Sequence, residues 1–255
     1  MKYERIKYPD GQISAKIIEF DPIEEVVIYE RISSYEDLMF ILSLVEVLNY
    51  RGVYKIDLQI PCLLGQRSDA RFNHLQSFDL KIIANLINSC KFSNVVIFDP
   101  HSIVSLALIN NSSSLSPISH ILKTINKIGK VNTVLVSPDA GAYKKTFSIA
   151  ERTNLPLVAA VKHRDEGGKI DLKFTGDVKD KDCLIVDDLC DGGYTFELLA
   201  KKLKAQGAGK VFLYVSHGYF SKGFDKLKEA EVEHIFCTNS VKDIDDPYVT
   251  QYKII

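Results

Sequence analysis

The chain has five cysteines among 255 residues (Cys62, Cys90, Cys183, Cys190 and Cys237), and no two of them form a CxxC pair. That spacing supports neither a structural zinc site nor a disulfide framework, and a reducing compartment is the natural setting. No uninterrupted apolar run approaches the roughly 20 residues that span a bilayer. The opening MKYERIKYPDGQ lacks the apolar centre of a secretory signal. A soluble, cytoplasmic protein is therefore expected. Excess charge is also missing: 32 basic residues against 33 acidic ones leave a net charge of −1, which gives no electrostatic footprint for nucleic acid. No internal repeat is visible.

What is present is an ordinary globular composition, 46% hydrophobic and 25% charged, long enough for two domains at roughly 100–200 residues each. Short apolar runs at 25–31 (EVVIYER), 55–63 (KIDLQIPCL), 94–99 (NVVIFD) and 132–137 (NTVLVS) read as strands. Those at 157–162 (LVAAVK), 183–188 (CLIVDD), 210–216 (KVFLYVS) and 232–237 (VEHIFC) extend the series. Most lack alternation, as expected for parallel strands buried on both faces. Helical segments at 35–48, 78–90, 142–152 and 196–205 separate them, so the pattern is α/β. The Ser/Asn-rich stretch 110–117 (NNSSSLSP) is the expected linker, dividing the chain into residues 1–113 and 114–255.

The strongest chemical signal is 183–195, CLIVDDLCDGGYT. An apolar strand delivers Asp187 and Asp188 at its C-terminal end, where open α/β sheets bind ligands. A glycine loop then runs into a helix N-terminus, whose amides and dipole receive phosphate. Carboxylates beside such a cradle suit ribose hydroxyls or a magnesium ion. The bland alternative is a solvated acidic turn.

This segment resembles the phosphoribosyl-pyrophosphate signature shared by type I phosphoribosyltransferases and ribose-phosphate pyrophosphokinases. The upstream stretch 134–150 (VLVSPDAGAYKKTFSIA) is similar to the SPDAG-and-lysine segment of the pyrophosphokinases, which ordinary phosphoribosyltransferases lack. The resemblance implies two tandem phosphoribosyltransferase-like α/β domains, each with a mainly parallel sheet flanked by helices. The first would serve ATP and the second ribose 5-phosphate, with the last strand as a possible return to the first domain. It implies ATP and ribose 5-phosphate as substrates, Mg²⁺ as cofactor, AMP and 5-phosphoribosyl 1-pyrophosphate as products, and a homo-oligomer, a dimer or a hexamer. No nucleic acid or membrane partner is implied.

Carried over position by position, Lys162 and Arg164 match a catalytic Lys-x-Arg at the root of a loop (DEGGK). Asp139, Asp99 and His101 match positions around the metal, with His101 also against the nucleotide. Arg67 and Asp69 fall on the ATP loop's arginine and aspartate, with Ser68 where glutamine is usual. Tyr8, Asp10 and Gln12 fall on the adenine loop, all three substituted. Asp187, Asp188, Asp191, Gly192, Gly193, Tyr194 and Thr195 form the ribose-5-phosphate loop. There DGGYT departs from the usual Asp-Thr-x-Gly-Thr: Gly192 removes a hydroxyl and Tyr194 replaces a small residue. Set against the family pattern, the chain starts almost at the adenine loop and ends without a final helix, so a shortened, divergent member is expected. A non-catalytic regulatory homologue and a type I phosphoribosyltransferase are the competing readings. Retention of Arg67, His101, Asp139, Lys162 and Arg164 argues against the first, and the matches from 60 to 150 against the second.

Overall fold

A computed structural model describes residues 1–19, 25–71, 73–164 and 170–254, without the side chains of 162–164 and 170–171. These residues form two compact units, Met1–Ser116 and Pro117–Ile254.

The first unit opens with an antiparallel hairpin of β1 (Lys2–Lys7) and β2 (Ile13–Glu19). Its turn is made by local chemistry. The Tyr8 N–H donates to the Gln12 carbonyl at 2.9 Å, the Asp10 carboxylate accepts the Gln12 N–H at 3.0 Å, and Gly11 adopts φ +89°. The strands β3 (Glu25–Tyr29), β4 (Lys55–Ile60), β5 (Asn94–Phe98) and β6 (Ser112–Leu115) form a parallel sheet in that order. Between them lie α1 (Tyr35–Tyr50), α2 (Asp79–Ser89) and the short α3 (Val104–Leu108). Helix α1 starts at a capping box, in which Ser34 and Asp37 satisfy each other's backbone N–H groups. Its apolar face, Leu38, Ile41, Leu44 and Leu48, is fully buried with Ile28 and Leu58 of the sheet. Each such side chain contributes about 1.5–3 kcal/mol of transfer free energy.

Two expectations change here. Residues 110–117 are not a bare linker but contain β6, which adds to the edge of the sheet beside β5. Serine is a poor strand residue, but backbone ladder bonds do not depend on side chains, and the exposed edge asks little of them. Burial on both faces also fails for this sheet. Buried residues alternate with exposed ones along β3 and with half-buried ones along most of β4, as in a sheet with one face on the core.

The second unit contains α4 (Ile118–Ile128), β7 (Thr133–Ser137), α5 (Ala140–Thr153), β8 (Leu157–Arg164), β9 (Ile170–Phe174), β10 (Asp182–Cys190), α6 (Tyr194–Ala205), β11 (Val211–Gly218), α7 (Asp225–Glu229), β12 (Val232–Thr238) and β13 (Val249–Tyr252). Seven strands pair in the order β13-β12-β11-β10-β7-β8-β9, parallel except for β8–β9. Strands β7 and β11 are buried at every position, which is the doubly covered pattern read from the sequence. The last strand does not return to the first unit: β13 pairs in parallel with β12, Ile235 opposite Val249. Because β8, β7 and β10 are parallel neighbours, their C-terminal ends share one edge of the sheet. That edge carries the acidic and glycine-rich loops.

Candidate active site

In the second unit, β10 runs through Asp187 and Asp188 to Cys190. The Asp188 N–H donates to Asp187 Oδ1 at 2.8 Å, and Asp188 itself is 8% exposed. Burial pushes the Asp187 carboxyl well above the usual range. Its hydrogen bond with the Asp188 carboxyl, and the charges of Asp188 and then Asp139, add to the rise. Strand pairing explains the last contribution. Ile185 stands opposite Val136, so the end of β10 lies beside the turn that leaves β7.

Asp139 caps α5. Its Oδ1 accepts the N–H groups of Gly141 and Ala142 at 2.9 and 3.0 Å. Ser137 Oγ donates to the Asp139 carbonyl at 2.8 Å, which fixes the turn. Asp139 thus has a structural role as a helix cap, on the same sheet edge as Asp187.

Beyond Cys190, Asp191-Gly192-Gly193 turn into α6. Gly193 is the N-cap at φ +79°, a left-handed conformation that glycine adopts without penalty. It offers no capping side chain, so the N–H groups of Tyr194, Thr195 and Phe196 have no protein acceptor among the described residues. Orphan amides at a helix start are the groups an anion uses. Tyr194 is 72% exposed and leaves the loop open.

In the first unit, Asp99 follows β5 in the left-handed region at φ +40° and is 4% exposed. Its N–H donates to the Leu115 carbonyl at 2.9 Å. Non-glycine residues held this way concentrate at functional sites. His101, two residues on, is exposed, and its N–H donates to Gln66 Oε1 at 3.3 Å. Gln66 is 2% exposed and joins the loop bearing Arg67, Ser68 and Asp69 to the loop bearing His101. Sequence reasoning missed it, because nothing in CLLGQRS marks one amide as buried. The Ser68 N–H closes a turn onto the Gly65 carbonyl at 2.8 Å, leaving Arg67 outward. Tyr8, 44% exposed, sits with Asp10 and Gln12 at the hairpin tip, where the recorded bonds are internal.

Lys162 and Arg164 lie at the end of β8, opposite Leu172 and Ile170 of β9. Their side chains, and the stretch 165–169, fall outside the described residues.

The residues named for a metal offer carboxylate oxygens and one imidazole rather than thiolates, a donor set that suits a hard cation. No group of three or more His, Cys, Asp or Glu forms a cage among the described residues. The buried thiols of Cys183, Cys190 and Cys237 are pushed up to about 12, chiefly by burial, and remain protonated at neutral pH.

A family model described as "Phosphoribosyl synthetase-associated domain" matches residues 165–254. "Ribose-phosphate pyrophosphokinase A" of Dictyostelium discoideum is 29% identical over 241 residues, covering 92% of this chain and 76% of that protein. The "Ribose-phosphate pyrophosphokinase" of Mycoplasma pneumoniae is 27% identical over 259 residues, covering 98% and 79%. Among solved structures, phosphoribosylpyrophosphate synthetase from Mycobacterium smegmatis superposes with a TM-score of 0.89 at 21% identity, covering 99% of this chain and 86% of that one. The fold is therefore the same, and sequence likeness to ribose-phosphate pyrophosphokinases runs along nearly the whole chain.

Proposed function

We propose that the protein transfers the pyrophosphoryl group of ATP to the 1-hydroxyl of ribose 5-phosphate, releasing AMP and forming 5-phosphoribosyl 1-pyrophosphate. The observation that carries this reading is the β10–α6 junction, a carboxylate pair (Asp188 buried, Asp187 half-buried) followed by a helix start with uncommitted amides. It has the two chemistries a sugar phosphate needs, acceptors for vicinal hydroxyls and donors for a phosphate. The Asp187–Asp188 pair takes the ribose hydroxyls. The amides of 194–196 and the Thr195 hydroxyl take the 5-phosphate. Ribose is thereby held by its far end, leaving the 1-hydroxyl to react.

In the first unit, Arg67 receives the triphosphate, Ser68 and Asp69 shape its loop, and Tyr8, Asp10 and Gln12 receive adenine. The O1 oxygen attacks the β-phosphorus and loses its proton to solvent, the bond from that phosphorus to the α,β-bridging oxygen breaks, and AMP departs with that oxygen and its negative charge. Lys162 and Arg164 stand at the strand end from which cations reach that charge. Asp99 and His101 in the first unit and Asp139 in the second are the residues that would offer donors to magnesium, which would supply charge neutralisation. Positioning and electrostatics of this kind account for most phosphoryl-type catalysis. Assembly as a homo-oligomer and a cytoplasmic location belong to the same proposal.

Purified protein is mixed with Mg²⁺, ATP and ribose 5-phosphate, and AMP is followed. AMP that forms only when all three are present supports the reading. AMP formation indifferent to ribose 5-phosphate sinks it.

A further inference from the structure

The 5-phosphate cradle has an electrostatic deficit. A phosphate monoester carries about −1.5 to −2 charges at neutral pH, whereas a helix N-terminus supplies roughly +0.5. The loop adds carboxylates of its own, since Asp187, Asp188 and Asp191 precede the amides within a few residues. A full cation in contact would offset this charge, and the loop 191–195 contains none.

The neighbouring turn brings one. After β11, the N–H groups of Tyr219 and Phe220 donate to the Cys190 carbonyl at 2.9 and 3.3 Å, and the Ser221 N–H donates to the Asp191 carbonyl at 3.2 Å. The Gly223 N–H closes the turn onto the Phe220 carbonyl at 3.0 Å. Phe220 is 5% exposed and packs on Phe224 with ring centroids 5.0 Å apart, so the turn is anchored in the core. Lys222 stands at its tip. A methyl group built on Gly192 would lie 3.6 Å from Lys222 Cγ, so the lysine stem already lies over the loop. Lys222 is exposed and forms no ion pair among the described residues. The next lysine, Lys226, has its charge felt by Glu197.

We propose that Lys222 is a substrate-binding residue, its ammonium group closing on the 5-phosphate from the side opposite the α6 amides. The proposal rests on the ribose-5-phosphate reading of this loop. Given that reading, it assigns selectivity for a phosphorylated over an unphosphorylated sugar to a residue outside the loop itself.

Titration calorimetry with ribose 5-phosphate and with ribose, on the full chain, tests it. Lys222→Gln is expected to weaken ribose 5-phosphate about tenfold, to leave ribose unchanged, and to flatten the fall of affinity with salt. Lys222→Arg is expected to restore affinity to within about threefold of wild type, and Lys226→Gln to match wild type. If wild type binds ribose 5-phosphate and Lys222→Gln binds it equally well with the same salt dependence, the assignment of Lys222 fails alone. If Lys226→Gln weakens binding as much as Lys222→Gln, the effect is general surface charge and the assignment again fails. If wild type does not prefer ribose 5-phosphate over ribose, the reading of the loop fails and this inference goes with it.

Discussion

Gln66 Oε1 accepts the backbone N–H of His101 at 3.3 Å, from a side chain that is only 2% exposed. One buried amide thus ties the loop after β4 to the loop after β5, and these hold the residues assigned to the nucleotide. Gln66→Leu keeps the bulk and removes the acceptor. A hydrogen bond of this kind contributes about 0.5–1.5 kcal/mol, so the Michaelis constant for ATP should rise about three- to tenfold. That for ribose 5-phosphate should stay within twofold. Steady-state kinetics with each substrate varied in turn distinguishes this from a general loss of stability, which would lower the active fraction without splitting the two constants.

The same loop depends on Gly65, at φ +72°, where an added Cβ would sit 2.6 Å from Ile83 Cδ1 of α2. The left-handed backbone alone costs about 1–2 kcal/mol for a residue with a side chain, and the contact adds to it. Gly65→Ala should lower stability by about 2–3 kcal/mol in denaturant unfolding. It should also raise the constant for ATP, because Ser68 closes its turn onto the Gly65 carbonyl. Unchanged unfolding midpoints would mean that the turn relaxes freely.

Asp187 links function to pH. Burial and its acidic neighbours hold its carboxyl above the usual range in the folded protein, so the native state binds this proton more tightly than the unfolded chain. The stability it contributes is present at low pH and is lost as pH rises from the ordinary carboxylate range toward the raised value. Asp187→Asn removes the penalty. The variant should be more stable than wild type above neutral pH, by about 1–3 kcal/mol, with the difference closing near pH 4 and turnover lost throughout. Thermal melts from pH 4 to 8.5 read this. A variant less stable than wild type at pH 8 would show that the carboxylate is compensated in the folded protein.

Much of the architecture was legible because burial writes itself into sequence. VFLYVS reads as a doubly covered strand, and β11 is buried along its whole length. The elements that went unread are those whose formation depends on partners rather than on their own pattern. Strand β6 is a run of serines held by the β5 ladder. The β1–β2 hairpin was read only as a loop, although PDG between two charged, alternating segments is a hairpin signal. At the site, Asp187, Asp188 and the glycine loop were legible because strand, carboxylates and helix start are contiguous. Gln66 and the positive φ of Asp99 were not, since burial of one amide and a backbone twist leave no mark in residue type.

Lys162 tests how charge is used during transfer. If its amine meets the departing charge only in the transition state, Lys162→Ala should lower kcat about 10²–10³-fold, the loss expected when one preorganised donor is removed. The Michaelis constant for ATP should stay within about threefold. Equal losses in both would place the amine on ground-state ATP instead.

The central claim is transfer of the whole pyrophosphoryl group by attack on the β-phosphorus. It is tested most directly by incubating the protein with [γ-³²P]ATP, Mg²⁺ and ribose 5-phosphate and separating the products. The account predicts label in 5-phosphoribosyl 1-pyrophosphate, with unlabelled AMP formed in equal amount. Label in inorganic phosphate or in a bisphosphorylated ribose, with ADP as the nucleotide product, would contradict it.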